Sequence, residues 1–260
     1  MIMKITTFNV NSVRTRLPIL IQWLNESKPD LLFMQETKTQ DEFFPAIAFN
    51  ELGYKTFYRG EKSYNGVAVL VKENLRANIN ISFGFNDGQE NNFDTRVLTL
   101  THENLCVLNT YVPQGKSIES PDFDVKKKFF ARVRNIIERE KNKLFLWLGD
   151  LNVAPEKIDV THPEAKKNHV CFCDEIRKIF ADTCYGLVDV LRLFHAESGI
   201  YTFFDYRVKD ALTKNIGWRI DHMLASESLA KLAVNCEPDT RVRAWERPSD
   251  HVPLTAEYRI

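Results

Sequence analysis

What most limits how this chain can fold is a series of short apolar runs, each about the length of one strand and most of them ended by a polar residue. The runs are Ile5 to Val10, Leu31 to Gln35, Val67 to Val71, Val97 to Leu100, Cys106 to Tyr111, Leu144 to Leu148, Ile220 to Ala225 and Leu254 to Tyr258. Their apolar and β-branched content suits strands buried on at least one face. Helical spacing lies between some of them. Leu17, Leu20, Ile21 and Leu24 repeat with the period of a helix, and Ser120-Pro121 supplies a cap followed by proline in the first turn. The helix that follows is predicted to reach about Asn142, with Phe129, Val133, Ile136 and Ile137 on its buried face and Lys126-Lys127-Lys128 on a solvated one. Several strands follow one another with no helix between, which argues against a simple doubly wound sheet. An α/β architecture of two packed sheets with helices outside fits better. Gly84 to Asp94 is polar and turn-rich and reads as a loop, so one domain is expected over residues 1–260.

Lysine plus arginine and aspartate plus glutamate both number 35, a net charge of +0. That balance removes the argument for a globally basic, nucleic-acid-coating domain, so any polyanion must be held by local patches. Five cysteines at irregular spacing make a poor disulfide framework and point to a reducing compartment. Neither a secretory leader nor a run long enough to span a bilayer is visible, and the chain is expected to be cytoplasmic.

The polar residues at the ends of the runs converge on one chemistry. Asn9 and Asn11 end the first run, Glu36 the second, Tyr111 the fifth, and Asp150 and Asn152 the sixth; Asp221 opens the seventh and Asp250-His251 precede the last. Taken singly, a strand-end Asp or Asn is most often a turn or cap. Scaffolds also place functional groups in such loops, and a set of this size is hard to assign to turns alone. Carboxylates and amides without a cysteine cluster suit a hard cation such as Mg²⁺ or Mn²⁺. His251 adds a hydrogen-bonding cation for a phosphate oxygen. Phosphodiester hydrolysis needs a positioned water, neutralised charge and help for the leaving alkoxide, and this residue set can supply all three.

The same residues lie in motifs that resemble the exonuclease III family of abasic-site (AP) endonucleases, within the endonuclease/exonuclease/phosphatase superfamily. The motifs are Phe8-Asn9-Val10-Asn11-Ser12-Val13-Arg14, Gln35-Glu36-Thr37-Lys38, Tyr111-Val112-Pro113-Gln114-Gly115, Gly149-Asp150-Leu151-Asn152-Val153-Ala154, Tyr201 to Arg207, Gly217 to Asp221, and Ser249-Asp250-His251. They stand in the family's order and span nearly the whole chain. The resemblance implies a four-layer α/β sandwich of two packed mixed sheets flanked by helices, with the site at one rim. It implies Glu36 as metal ligand with Asn11 and Asp250 near the ion, Asp150 handling the attacking water with Asn152, and His251 paired with Asp221 on the phosphate. Tyr111 would sit by the phosphate or leaving oxygen, and Asn9 would order the network.

By the same resemblance, Phe203, Trp218 and Ile220 would line a small apolar pocket for a flipped-out sugar without its base, whose extrusion costs less because stacking is already lost. Phe204 reads as core. Backbone contacts are expected from Arg59, Lys62, Tyr64, Asn65, Gln114, Lys116, Arg207, Lys209, Lys214 and Arg219. The implied activity is cleavage of double-stranded DNA 5′ to an abasic site, with 3′-5′ exonuclease or 3′-end trimming on damaged ends, by a monomer away from membranes. A superfamily phosphatase or less specific nuclease, and a silent DNA-binding scaffold, are the rival readings. The chain departs from the family at His169 to Glu175, where many relatives carry Gly-Phe-Thr-Pro-Glu-Glu. His162, His169, Cys171, Cys173 and Cys184 lack the usual paired zinc spacing, and the cysteines read as buried thiols.

Overall fold

The computed structural model describes residues 2–75 and 78–260. Twelve strands form among them: β1 (Ile2–Asn9), β2 (Leu31–Gln35), β3 (Tyr54–Arg59), β4 (Val67–Lys72), β5 (Ile79–Phe83), β6 (Val97–His102), β7 (Leu105–Tyr111), β8 (Leu144–Asp150), β9 (Leu187–Asp189), β10 (Asp221–Ser226), β11 (Ala233–Pro238) and β12 (Leu254–Arg259). They pair into two six-stranded mixed sheets, in the orders β11-β12-β1-β2-β4-β3 and β5-β6-β7-β8-β10-β9. Seven helices join them: α1 (Leu17–Ser27), α2 (Ala46–Asn50), α3 (Pro121–Glu140), α4 (Pro163–Lys166), α5 (Asp174–Cys184), α6 (Val190–Phe194) and α7 (Glu227–Ala230).

Side-chain alternation along the strands builds the layers. Leu31 and Phe33 of β2, with Val67, Val69 and Val71 of β4, face the second sheet and meet Leu100, Val107, Leu146, Leu148 and Met223 in the central core. Their neighbours Leu32, Met34, Ala68 and Leu70 point outward, where Leu20, Trp23, Leu24 and Phe49 of α1 and α2 cover them. The outward face of the second sheet carries Cys106, Leu108, Phe145 and Trp147, covered by Phe129, Phe130 and Val133 of α3 and by Ile176 and Phe180 of α5. The central strands are thus buried on both faces, which is why they read as unbroken apolar runs. The result is the four-layer α/β sandwich expected.

Helix α3 starts as its sequence dictates. Ser120 caps it by accepting from the Asp122 amide, Pro121 fills the first turn, and Asp122 and Asp124 face the positive end of the helix dipole. One expectation fails here. Lys126 is buried on the inner stripe with Phe123, Phe129, Phe130 and Val133, while Lys127 is half-buried and Lys128 is exposed. The helical period, not the run of three lysines, sets which face each side chain takes.

Two pairings place the site. β1 and β2 run parallel, so Asn9 and the chain just past Gln35 finish side by side. In the second sheet β7 and β8 also run parallel, Tyr111 lying opposite Asp150, and antiparallel β10 begins with Asp221 opposite that same Asp150. Every strand-end group expected to act therefore meets at one rim.

Candidate active site

Asn9 lies at the centre of the rim and is fully buried. Its Nδ2 donates to Glu36 Oε1 at 2.8 Å and to Asp150 Oδ2 at 2.9 Å, joining a carboxylate of each sheet. Its Oδ1 accepts from the Asn11 amide at 3.0 Å, which turns the chain sharply after β1. Asn11, Glu36 and Asn152 all adopt positive φ, at 43°, 52° and 51°. Such backbone is unusual outside glycine, and here it lifts three polar side chains out of the strand direction and into one space.

Around Glu36 the environment favours negative charge. Lys38 Nζ lies 2.7 Å from Glu36 Oε2 and 2.5 Å from Asn11 Oδ1, and Asn11 Nδ2 donates to Asp250 Oδ1 at 2.9 Å. Burial pushes the Glu36 carboxyl up, but the Lys38 charge and the Asn9 hydrogen bond together leave it below its usual value. The Glu36, Asp150 and His251 ligand atoms lie within 4.8 Å of one another. The oxygens of Glu36 and Asn11 already converge on one cation, the Lys38 ammonium, and the donor set of carboxylate and amide oxygens fits a hard divalent ion.

Asp150, Asp221 and His251 form a buried chain. His251 Nδ1 is 2.8 Å from Asp221 Oδ2, and its Nε2 points toward Asp150 Oδ2 at 3.7 Å. Ser249 fixes this arm, donating its hydroxyl to Asn9 O at 2.7 Å and accepting from the His251 amide. Burial opposes charge on His251, but Asp221 and then Asp150 raise its pKa to about 10, so the ring is an imidazolium at neutral pH. Burial, helped by the charges of Asp221 and Glu36, raises Asp150 to about 7 against the pull of His251. Asp150 Oδ1 also accepts from the Asn152 amide at 3.0 Å, and the Asn152 side chain donates to Val112 O at 2.9 Å.

Tyr111 closes one side. Its phenol is hydrogen-bonded to Glu36, and burial followed by the Glu36 and Asp150 charges pushes its pKa well up. The Arg96 guanidinium lies 4.5 Å from the Tyr111 ring centroid and donates to Tyr111 O.

A cavity of about 510 Å³ opens beside these groups, with Tyr111, Asp150, Asn152 and His251 in its wall. Phe203, Trp218 and Ile220, the residues expected to form an apolar pocket, line the same cavity with His169 and Cys171. The Phe203 ring sits 4.9 Å from the His251 ring, and His169 packs on Trp218 at 4.7 Å. Phe204 is core, only 1% exposed. Cys171 and Cys173 are free buried thiols, and Cys171 Sγ lies 3.7 Å from Asn152 Oδ1.

The expected backbone-contacting groups divide. Arg59, Lys62, Tyr64, Gln114, Lys116, Arg207, Lys209 and Lys214 are exposed, and half-buried Asn65 turns against the Glu36 segment by accepting from the Lys38 amide. Arg219 is a correction. It is 1% exposed, and its guanidinium is held by Asp159, Asp189 and His222, so it cannot reach a bound duplex. The chain around it is extended, so Trp218 and Ile220 face the cavity and Arg219 faces away. Sequence reasoning gave no site role to Lys38, Arg96 or the cavity-lining Lys166, and weighed His169, also in the cavity wall, only for zinc. Lys38 was legible two positions beyond Glu36, whereas Arg96 arrives from the turn just before β6, a strand that carries no group of the site.

The rim joins a histidine shared by two carboxylates to a glutamate that accepts a cation, groups that phosphoester chemistry can use. The model of the endonuclease/exonuclease/phosphatase family matches residues 6–251. Exodeoxyribonuclease III of Haemophilus influenzae is 33% identical, over 99% of this chain and 100% of that protein. An AP endonuclease from Archaeoglobus fulgidus superposes with a TM-score of 0.94 at 42% identity, covering 99% of this chain and 100% of the other. The 3′ phosphatase NExo from Neisseria, solved with a product DNA hairpin, superposes at 0.90 with 34% identity, covering 99% and 100%. The chain belongs to the endonuclease/exonuclease/phosphatase family, in its exonuclease III branch, a class of hydrolytic nucleases.

Proposed function

We propose that this protein is a DNA-repair phosphodiesterase that cuts duplex DNA 5′ to an abasic site, leaving a 3′-OH, and also trims 3′ ends. The observation that carries the chemistry is His251, held by Asp221 at 2.8 Å with its ring beside the carboxylates of Asp150 and Glu36 in the wall of the cavity. The relatives named AP endonuclease, exodeoxyribonuclease III and 3′ phosphatase support DNA as the substrate.

In this reading His251 grips a nonbridging oxygen of the scissile phosphate, and Asp221 keeps the ring charged and oriented. Asp150 orients the attacking water and takes its proton, while Asn152 holds that water and the phosphate. Tyr111 faces the phosphate or the leaving oxygen, and Asn9 keeps the two halves of the site aligned. Glu36 would hold Mg²⁺ or Mn²⁺, with Asn11 and Asp250 beside it, and such an ion, when bound, would supply neutralisation of negative charge on the phosphate. Phe203, Trp218 and Ile220 accept the baseless sugar, and the exposed basic rim tracks the flanking phosphates. Incubation with Mg²⁺ and duplexes that differ only by one abasic analogue tests the assignment. Preferential cutting at the analogue supports it, whereas equal cutting of both duplexes points instead to a less specific nuclease.

A further inference from the structure

Lys126 projects from the inner stripe of α3 into the molecule, at a position where the helical pattern calls for an apolar side chain. Its side chain is fully buried. Removing an ammonium from water costs several kcal/mol, so a lysine in such a place has to be satisfied by specific partners. Lys126 Nζ meets three main-chain carbonyls: Gln114 O at 3.0 Å, Asn152 O at 2.8 Å and Val170 O at 2.7 Å. Burial lowers its pKa, but three acceptors call for three donated protons, which the ammonium and not the neutral amine can supply. Among the described residues no carboxylate stands within ion-pair distance of it.

Each of those carbonyls belongs to a different loop of the site. Gln114 follows Tyr111 and lines the cavity, Asn152 is the partner of Asp150, and Val170 precedes Cys171 in the cavity wall. Two of the loops hold unusual backbone, with Asn152 at φ 51° and Gly115-Lys116 at 99° and 54°. Short polar loops do not keep such conformations by themselves. At Gly115 an added Cβ would stand 3.4 Å from the Lys126 side chain and 3.1 Å from Phe123, so the turn wraps closely over the buried amine.

We infer that Lys126 is a positioning residue, a buried cationic tripod that holds the Gln114, Asn152 and Val170 loops in one register and so sets the geometry of the water-handling Asn152 and the cavity wall. The inference rests on the phosphodiesterase reading for its activity test, but its structural half does not. A misplacement of a reacting group by about 1 Å costs on the order of 100-fold in rate. Lys126→Met keeps the volume and leaves three carbonyls without a donor. Lys126→Gln keeps two donors and no charge.

The experiment compares wild type, K126M, K126Q and V133A, the last a core truncation seven residues along the same helix that removes no hydrogen bond to these loops. Three quantities are read: single-turnover cleavage of a duplex carrying one tetrahydrofuran abasic analogue, affinity for that duplex in EDTA, and labelling of Cys171 by a thiol reagent, located by mass spectrometry. For K126M the rate should fall at least about 100-fold while the Kd stays within about threefold, since the loops move but the basic rim does not. Cys171 labelling should rise at least about tenfold as the Val170 loop opens. V133A should keep the wild-type rate and labelling even if it melts at lower temperature. Where K126M does not fold, K126Q carries the comparison under the same criteria. A K126M rate within about threefold of wild type, equal losses of rate and affinity, or the same rate loss in V133A would overturn the assignment. An inactive wild type with protected Cys171, exposed only in K126M, would sink the activity reading and leave the tripod standing.

Discussion

Asp150 and Asp221 are direct cross-strand partners on β8 and β10, and both turn their carboxylates toward the one imidazole of His251. Two buried acids thus share a single counter-charge. Their roles differ because Asp221 holds Nδ1 at 2.8 Å while Asp150 stands 3.7 Å from Nε2 and keeps oxygens for other work.

Asp221→Asn should separate these roles. Asp221 is the largest influence raising His251, whose pKa stands at about 10. A ring that must be protonated to grip phosphate stays competent below that value and fails as pH rises through it. In the asparagine variant the basic limb of the rate profile should move to lower pH, and the rate at pH 8 should drop by about 100-fold or more. An unmoved limb would show that Asp221 does not govern the titration.

Asp150→Asn should stop catalysis and spare binding. The amide keeps the size of the side chain but cannot take a proton from water, a function worth about 10²–10⁴-fold. Single-turnover cleavage should fall in that range, with duplex affinity unchanged within about threefold when measured without metal. Wild-type-like turnover would refute its assigned role.

Arg219→Met should harm stability rather than recognition. The guanidinium is buried among Asp159, Asp189 and His222, and removing it strands buried charge at a cost of about 3–5 kcal/mol. Denaturant titration should register that loss, while the salt dependence of DNA affinity stays that of wild type. Arg207→Ala is the contrasting case. Its side chain is 89% exposed, and losing one phosphate contact should lower the salt slope by about 1 with little change in stability.

His222 ties stability to acidity. Its Nε2 lies 2.8 Å from Val153 O and its Nδ1 lies 3.0 Å from Arg219, so the neutral ring donates at one nitrogen and accepts at the other. Burial, then the Arg219 charge, lowers its pKa from 6.5 to about 4. A depressed folded value means the unfolded chain takes up the proton first. The stabilisation is therefore whole above pH 6.5 and drains away as pH falls toward 4, by on the order of 2–3 kcal/mol. His222→Gln can keep both hydrogen bonds without titrating. The difference in stability between the two proteins should vary across that window and be flat above it.

How much of this was legible in sequence follows from burial. The eight apolar runs correspond to the eight interior strands; β2, β4, β7, β8 and β10 are buried on both faces and read as continuous runs, whereas β12 alternates buried Leu254, Ala256 and Tyr258 with half-buried Thr255 and Glu257. The four strands that carry no such run, β3, β5, β9 and β11, are the four edges of the two sheets. An edge strand is half solvated and tolerates polar residues, so Tyr54–Arg59 and Ala233–Pro238 look like loops to a pattern search. The strand-end polar residues were visible for the converse reason, since Glu36 and Asp150 interrupt apolar runs. Lys126 and Arg219 were misplaced because charge was taken to mean exposure, and only the partners across the fold reverse that rule.

The hydrogen bond from Asn9 to Asp150 crosses from the first sheet to the second, and so does the buried bond from Gln35 to Asn109. The first sheet contributes Glu36 and His251, the second Tyr111, Asp150 and Asp221. Because β1 through β4 and β11 and β12 form one sheet while β5 through β10 form the other, the chain leaves the first half and must return to finish it. Neither half can inherit a fraction of the activity. Cleavage is all-or-none with respect to docking of the two sheets, which makes it a sensor of that docking: during refolding, turnover should appear only with the last contacts between them, after secondary structure is already in place.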